Sequence, residues 1–405
     1  MEEVCSFRSY QSLIGAIVKC VHGNNNLIKF DKFFKCQQPG APVHFQTYFL
    51  SNPNVRLVIH SGRRQFIEGF GLQKVKFASM SKPKILITRS DYPKNSIEAL
   101  ESKYNVEIWD NVKNGDITKK DFVERVSGAS GIFCCLNDRV DKDVIEAAGP
   151  SLKVVSTMSV GVDHVDLKTL KSKGVRLGYT PDVLTEATAE LTVALLLATS
   201  RRLLESNQAI RNGEWTSAWA PLKWCGPALK GSTVGIYGYG RIGQSVARKL
   251  KAFEVSRILY GSAQEKPEGK AIGAIQTSLD NLLKESDFVI VTCALSDKTR
   301  GLFNKDKFAM MKSTAIFVNS SRGAVVDQDA LHDALVSGQI RAAGLDVMTP
   351  EPLPSNHPLL SLQNCVILPH IGSATYQTRM LMADMVVKNI TTALHGEEMP
   401  AEYAL

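Results

Sequence analysis

The feature of this 405-residue sequence that most restricts its fold is a glycine-rich turn directly after a short apolar run. The run, residues 233–237, leads into the pattern Gly-x-Gly-x-x-Gly at 238–243, a helix-like stretch at 244–251 and a second apolar run at 257–260. In that setting the first glycine permits a tight turn, the second lets the backbone approach a pyrophosphate, and the third lets the helix pack on the strand. The helix N-terminus would face the phosphates. The pattern predicts a dinucleotide site rather than a glycine turn without a ligand, held by Gly238, Gly240, Arg241, Ile242 and Gly243.

Apolar strand-like runs alternate with amphipathic helix-like stretches on both sides of this turn. Such alternation favours an α/β fold, here with two doubly wound parallel sheets. A last helix, near residues 375–394, is expected to return to the first sheet. The predicted strands lie at 81–89, 106–109, 131–136, 152–158 and 175–179 for the first sheet, and at 233–237, 257–260, 287–292, 315–319, 342–347 and 365–368 for the second.

The first 80 residues differ from the rest in charge and in pattern. They carry ten Lys and Arg against four Asp and Glu, so they supply +6 of the net charge of +8. They lack a dense basic run, so no nucleic-acid partner is expected. Because they show no sustained period of 2 or 3.6, we interpret residues 1–80 as an extension outside the fold. The alternative is a mitochondrial transit segment, which Arg63 and Arg64 favour and the early Glu2 and Glu3 oppose.

Membrane and metal partners are not expected. The longest apolar run, residues 191–199, is shorter than the ~20 residues that a membrane-spanning helix needs. The eight cysteines include no Cys-x-x-Cys, which argues against a zinc site or a disulfide framework. We therefore expect a cytoplasmic protein, or a mitochondrial one if residues 1–80 are a transit segment.

The ribose end of the predicted dinucleotide site has no carboxylate. An NAD site usually places Asp or Glu at the end of the next strand, where it binds the ribose 2′-hydroxyl. Residues 260–264 here read Tyr-Gly-Ser-Ala-Gln, and the first acid is Glu265. The Ser262 hydroxyl, with Arg241 or Lys266, could instead hold a 2′-phosphate. We predict NADP(H) in preference to NAD(H).

Three polar residues follow apolar strands in the second series: Arg322, Glu351 and His370. Ligands of open α/β sheets bind outside the carboxyl ends of the strands, so these side chains should converge near the dinucleotide. Each also has a structural interpretation, as a helix-start residue, a turn acid and a core histidine. Together they are typical of an acid–base set.

Several of these segments together resemble one enzyme family, the D-isomer-specific 2-hydroxyacid dehydrogenases, over residues 84–400. Within that family the resemblance is nearest to the glyoxylate and hydroxypyruvate reductase branch. The family resemblance rests on residues 238–243, 319–323, 344–354 and 368–375, and the branch on 156–164, 179–185 and 215–217.

The resemblance implies a Rossmann dinucleotide-binding domain, residues 186–370, inserted into a flavodoxin-like substrate domain, residues 81–185 and 371–405. It implies NAD(P)H-dependent reduction of a small 2-keto acid to the D-2-hydroxy acid, by a homodimer. One alternative is a nucleotide-sensing corepressor of the same fold. Another is a phosphoglycerate or other D-2-hydroxyacid dehydrogenase, although phosphoglycerate dehydrogenases typically carry Arg where Thr157 stands.

The resemblance also implies residue roles. Arg322 would bridge the substrate carboxylate and carbonyl oxygen, and backbone N–H groups of Val160 and Gly161 would hold the carboxylate. His370 would be the general acid, with Glu351 holding its second ring nitrogen. Asp346 would orient the nicotinamide carboxamide. Trp219 would form a wall of the partner subunit's pocket or, as the alternative, pack only in the interface between subunits.

Overall fold

The computed structural model describes residues 82–405 in full and, within residues 1–81, only the backbone of eight short strands. Residues Met1–Ser81 and Lys82–Leu405 form two compact units. In the first unit all pairings are antiparallel, in the sheet β1-β2-β5-β6-β7-β8 and the pair β3-β4. We predict that residues 1–80 are an extension or, alternatively, a transit segment. Most of these residues lie outside the part of the chain that the structure describes. The strands are β1 (Val21–His22), β2 (Leu27–Lys29), β3 (Phe34–Cys36), β4 (Val43–Phe45), β5 (Tyr48–Leu50), β6 (Arg56–His60), β7 (Arg63–Ile67) and β8 (Leu72–Gln73).

The second unit begins with a five-stranded parallel sheet. Its strand order, β10-β9-β11-β12-β13, is the flavodoxin-like order. All four residues of β12 are buried, as expected for a parallel sheet covered on both faces. The strands are β9 (Lys84–Ile87), β10 (Asn105–Ile108), β11 (Ala129–Cys134), β12 (Val154–Thr157) and β13 (Arg176–Gly178). The helices are α1 (Lys94–Glu101), α2 (Asn111–Asn114), α3 (Lys119–Arg125), α4 (Lys142–Ala148) and α5 (Leu167–Lys173).

A seven-stranded parallel sheet follows. Its order, β16-β15-β14-β17-β18-β19-β20, contains the Rossmann order with one further strand. The predicted pair of doubly wound sheets is confirmed. The strands are β14 (Thr233–Tyr237), β15 (Arg257–Gly261), β16 (Ile275–Gln276), β17 (Phe288–Val291), β18 (Ile316–Asn319), β19 (Ala342–Leu345) and β20 (Cys365–Ile367). The helices are α6 (Thr185–Ser200), α7 (Leu203–Arg211), α8 (Arg241–Lys251), α9 (Pro267–Ala271), α10 (Leu279–Glu285), α11 (Lys305–Ala309) and α12 (Gln328–Val336).

The last helix, α13 (Tyr376–His395), returns to the five-stranded sheet as expected. Its side chains Val386 and Ile390 are fully buried in one apolar cluster with Ile85 and Val154 of that sheet. In the described part of the chain no helix, α13 included, has an apolar stretch able to cross a bilayer. The exact domain limits, after residues 185 and 370, stay predictions.

Candidate active site

His370 and Glu351 form a hydrogen-bonded pair at the carboxyl ends of neighbouring strands. Imidazole Nδ1 of His370, which follows β20, lies 2.7 Å from Oε2 of Glu351, which follows β19. The other carboxylate oxygen, Oε1, accepts the backbone N–H of Met348 at 2.9 Å. Both oxygens of Glu351 are therefore engaged, and the imidazole is held by one nitrogen. This arrangement leaves Nε2 of His370 as the nitrogen for a ligand.

The backbone of His370 is held in a conformation that non-glycine residues seldom adopt. Its φ is +54°, in the left-handed region, and such strain persists where surrounding contacts enforce it. The carboxylate of Asp346, 1% exposed, accepts the N–H groups of Ile371 and Gly372, each at 2.8 Å. Burial raises the pKa of Asp346 above its ordinary value, although the hydrogen bonds from these two amides lower it. In this structure Asp346 thus fastens the two residues that follow His370.

Arg322 reaches from β18 towards the turn after β12. Its Nε lies 3.1 Å from Oδ1 of Asp163, and its Nη1 donates to the carbonyl of Ser321 at 2.9 Å. A Cβ added to Gly161 would lie only 2.0 Å from Nη2 of Arg322, so a side chain at that position would collide with the guanidinium. The structure therefore brings together Arg322 and the Gly161 turn, the two groups that the family resemblance implies for binding of the substrate carboxylate.

A buried polar network shapes this turn, and the sequence analysis did not identify it. The hydroxyl of Thr157 lies 2.9 Å from Nε2 of His164 and 3.0 Å from Oγ of Ser159, which donates to the carbonyl of Gly161 at 2.6 Å. Burial lowers the pKa of His164 to about 4, so its imidazole is neutral at pH 7. The sequence signal that could have indicated this network is the group of Ser, Thr and His residues that lie close together at the end of an apolar strand. The network fixes the backbone that carries Val160 and Gly161.

The three glycines of the motif have different surroundings. Gly238 has φ +99°, and a Cβ there would lie 2.3 Å from the backbone nitrogen of Cys293. A Cβ on Gly243 would lie 2.4 Å from the carbonyl oxygen of Gly238. Gly240, in contrast, has no atom within 4 Å of its Cβ position. The first and third glycines are thus required by the protein's own packing, while the second faces open space.

The N-terminus of α8 is left uncapped by side chains. Gly240 is its N-cap residue, with no side-chain hydrogen bond, whereas aspartates cap α4, α5 and α12. The first amides of α8, from Arg241 to Gly243, are therefore available to an anion. The open space at Gly240 adjoins these amides, so the residues present fit the pyrophosphate of a dinucleotide.

Gly240→Ala is expected to weaken cofactor binding without loss of folding. The new methyl group meets no protein atom, but it occupies the approach to the amides of α8, so affinity for NADPH should fall by about tenfold or more, as when hydrogen bonds to a charged group are weakened. Fluorescence titration of NADPH and the melting temperature test this. Gly243→Ala, which collides with Gly238, should instead lower the melting temperature. An unchanged NADPH affinity in Gly240→Ala would contradict the assignment.

The proposed ribose end is less closely organised. The Ser262 hydroxyl, after β15, donates to the carbonyl of Gln264, and the Ser262 carbonyl accepts from Nε2 of Gln276 at 2.9 Å. Arg241 is paired with Asp182, with 3.1 Å between its Nε and Oδ1. Ser262 and Arg241 thus each make a protein contact, and their roles towards a 2′-phosphate stay predictions.

Trp219 is 76% exposed. Several apolar side chains of α7 and the following segment are also exposed, which is unusual for one region of a protein surface. They are Leu203, Leu204, Ile210, Trp215 and Leu222.

A cavity of about 1180 Å³ adjoins the His370–Glu351 pair. Loops of the five-stranded sheet form one wall, including Arg89 and Tyr92, and the first turn of α13, with Arg379, forms another. Arg322 and Gly161 do not line it. A strand-end cavity with an imidazole–carboxylate pair, in a sheet that also carries an open glycine turn, is typical of a nicotinamide-dependent dehydrogenase.

Comparison with known proteins defines the family. Residues 193–372 match the family described as D-isomer specific 2-hydroxyacid dehydrogenase, NAD binding domain. Human glyoxylate reductase/hydroxypyruvate reductase is 55% identical over 301 residues, which cover 74% of this chain and 91% of the human protein. Glyoxylate reductase of Thermococcus onnurineus is 45% identical over 323 residues, covering 79% of this chain and 95% of that protein. The chain belongs to the D-isomer-specific 2-hydroxyacid dehydrogenase family.

A solved structure supports the same placement. The NADPH-dependent glyoxylate/hydroxypyruvate reductase from Sinorhizobium meliloti, crystallised with NADP and malonate, is 31% identical, with a TM-score of 0.70. The alignment covers 80% of this chain and 97% of that one. A Thermus thermophilus protein, 42% identical, has a TM-score of 0.72 over 79% of this chain and all of its own. The family resemblance seen in the sequence is confirmed.

Proposed function

We propose that this protein reduces glyoxylate and hydroxypyruvate with a reduced nicotinamide dinucleotide, giving the D isomer where a stereocentre forms. The observation that carries the proposal is the His370–Glu351 pair at 2.7 Å, which lies beside a cavity and follows strands of the same sheet as the glycine turn. The names of the human and archaeal relatives support these substrates.

The bound cofactor supplies a hydride to the carbonyl carbon of the 2-keto acid, and the chain supplies the proton and the orientation. Arg322 and the amides of Val160 and Gly161 bind the carboxylate, since a planar guanidinium suits two-point binding of oxygens. Nε2 of His370 gives its proton to the carbonyl oxygen as negative charge develops there. The products are the 2-hydroxy acid and the oxidised cofactor, so one hydride and one proton are added across the C=O bond.

Glu351 and Asp346 position the residues that carry out this step. Glu351 accepts a hydrogen bond from Nδ1 of His370, which orients the ring. Asp346 holds the amides of residues 371 and 372. Each of its oxygens keeps a second lone pair, so contact with the nicotinamide carboxamide is compatible with these bonds.

The cofactor is proposed to be NADP(H) in preference to NAD(H). Residues 260–264 contain no carboxylate that would repel a 2′-phosphate, and the side chains of Ser262, Arg241 and Lys266 could bind it. The Sinorhizobium meliloti relative was crystallised with NADP. Initial rates with each cofactor test the proposal, and a tenfold or greater preference for NADH would contradict it.

Ser262→Asp is expected to reverse this preference. A carboxylate at the end of β15 repels a 2′-phosphate and accepts the 2′-hydroxyl of NADH, so the ratio of kcat/KM for NADPH to that for NADH should fall by about tenfold or more. Ser262→Asn is the matched neutral control and should change the ratio much less. If the ratio of kcat/KM for NADPH to that for NADH is the same in Ser262→Asp and the parent, Ser262 is not part of the cofactor site.

Initial rates with four acids test the function itself. Hydroxypyruvate and glyoxylate should be reduced faster than pyruvate and phosphohydroxypyruvate; for the latter, Thr157 stands where phosphoglycerate dehydrogenases typically carry Arg. Fastest reduction of phosphohydroxypyruvate would favour a phosphoglycerate dehydrogenase. Dinucleotide binding with no turnover of any acid would favour the corepressor-like alternative.

A homodimer is proposed from the exposed apolar segment around Trp219. Burial of these side chains against a second copy would remove the apolar patch from water, and Trp219 would then wall the partner subunit's pocket. Sedimentation equilibrium distinguishes dimer from monomer. The proposed location is the cytoplasm, or mitochondria if mass spectrometry of the natural N-terminus shows removal of residues near position 80.

A further inference from the structure

Arg379 is a half-buried arginine in the first turn of α13, and it lines the same cavity as His370 and Glu351. No step of the proposed reaction uses it. We propose that Arg379 determines specificity by binding an oxygen-bearing substituent on carbon 3 of the substrate, a hydroxyl or a carboxylate. The inference rests on the proposed 2-keto acid reduction and extends it to a substrate class.

The charges around the cavity support this assignment. Arg89 is paired with Asp91 and Asp116 at 2.8 and 2.9 Å, and Lys94 with Glu98 at 3.3 Å. Glu351, an acid of the lining, is engaged by His370. Within residues 82–405, the guanidinium of Arg379 has no hydrogen bond or ion pair. A partly buried guanidinium without an acceptor has lost water contacts that a ligand oxygen can restore.

Because His370 and Arg379 line the same cavity, a substituent that enters the cavity from the reacting carbon shares it with Arg379. The groups that would bind the substrate carboxylate, Arg322 and Gly161, lie outside the cavity, whereas His370 and Arg379 line it. A 2-keto acid with its carboxylate at Arg322 and its carbonyl oxygen at His370 therefore extends carbon 3 into the cavity. Glyoxylate has no carbon 3, so it cannot use Arg379.

This difference gives an internal reference for the test. In Arg379→Gln, the ratio of kcat/KM for hydroxypyruvate to that for glyoxylate should fall by about tenfold or more, since a charge-assisted hydrogen bond is lost. For oxaloacetate, which has a carboxylate on carbon 3, the corresponding ratio of kcat/KM to that for glyoxylate should fall at least as much. For pyruvate, the ratio should change little. Because each ratio is measured on one sample, a reduced active fraction does not change it. Lys94→Gln removes a charge from the same cavity and should leave the ratio unchanged.

Each outcome is decisive. An unchanged ratio in Arg379→Gln, or an equal loss with glyoxylate, overturns the inference, because a residue that contacts only the substituent cannot affect an acid without one. If Arg379→Gln does not fold, Arg379→Lys carries the same comparison, and its ratio should still fall several-fold because the planar two-point donor is lost. If the parent protein reduces none of these acids, it is the proposed function that fails.

Discussion

His370→Ala is expected to lower turnover of hydroxypyruvate by about 10²–10⁴, the usual effect of losing a positioned general acid. Because Nδ1 of His370 is paired with Glu351, Nε2 is the nitrogen proposed to donate the proton. Cofactor affinity should stay intact, because the pyrophosphate is proposed to bind the glycine turn and the first amides of α8, which do not include His370. The measurements are kcat with saturating substrate and NADPH affinity by fluorescence titration.

The control for this variant is His332→Ala. His332 also pairs with a carboxylate, Asp333 at 3.3 Å, but it does not line the cavity, so its loss should leave turnover unchanged. Glu351→Gln keeps the imidazole and weakens its orientation, and it should give a smaller fall than His370→Ala. A His370→Ala protein that keeps a tenth of parental turnover would refute the general-acid role.

Arg322→Gln should lower kcat/KM for both glyoxylate and hydroxypyruvate by about 10²–10³, as removal of one donor to a developing oxyanion does. The ion pair with Asp163 holds the guanidinium beside Gly161, in the turn that is proposed to bind the substrate carboxylate. Arg322→Lys should recover little, because an ammonium cannot bind two oxygens in a plane. Steady-state rates over a range of substrate concentrations measure these effects.

A matched ion pair elsewhere separates this role from general stability. Arg125 is paired with Glu107 at 2.8 Å, so Arg125→Gln removes a comparable contact away from the cavity. It should leave kcat/KM unchanged. The role of Arg322 is wrong if its variant loses activity only as much as Arg125→Gln, or loses it with hydroxypyruvate alone.

The main strands were predictable because parallel strands are buried on both faces and appear as continuous apolar runs. Residues 233–237 are a strand with the predicted limits, and the other strands of both parallel sheets begin or end close to theirs. The strand β16 was missed because it has two exposed residues, Ile275 and Gln276, and therefore no apolar run.

Those parts of the candidate site that lie within one segment of the chain could be predicted from the sequence. Contacts between distant segments could not. The glycine turn and the ends of β18, β19 and β20 are local patterns. The ion pair between Asp163 and Arg322 joins residues 159 positions apart, and no local pattern contains it. The cavity position of Arg379 likewise depends on the return of α13, not on its neighbours in sequence.

That return of α13 affects the order in which the protein can fold during synthesis. The seven-stranded sheet is continuous in sequence and can complete its core once β20 has left the ribosome, as domains usually do in turn. The five-stranded sheet is made first but lacks the side chains of Val386 and Ile390, which cover Ile85 and Val154. Part of one face of this sheet therefore stays uncovered until α13 has been made, so the parallel sheet that is synthesised first is completed last.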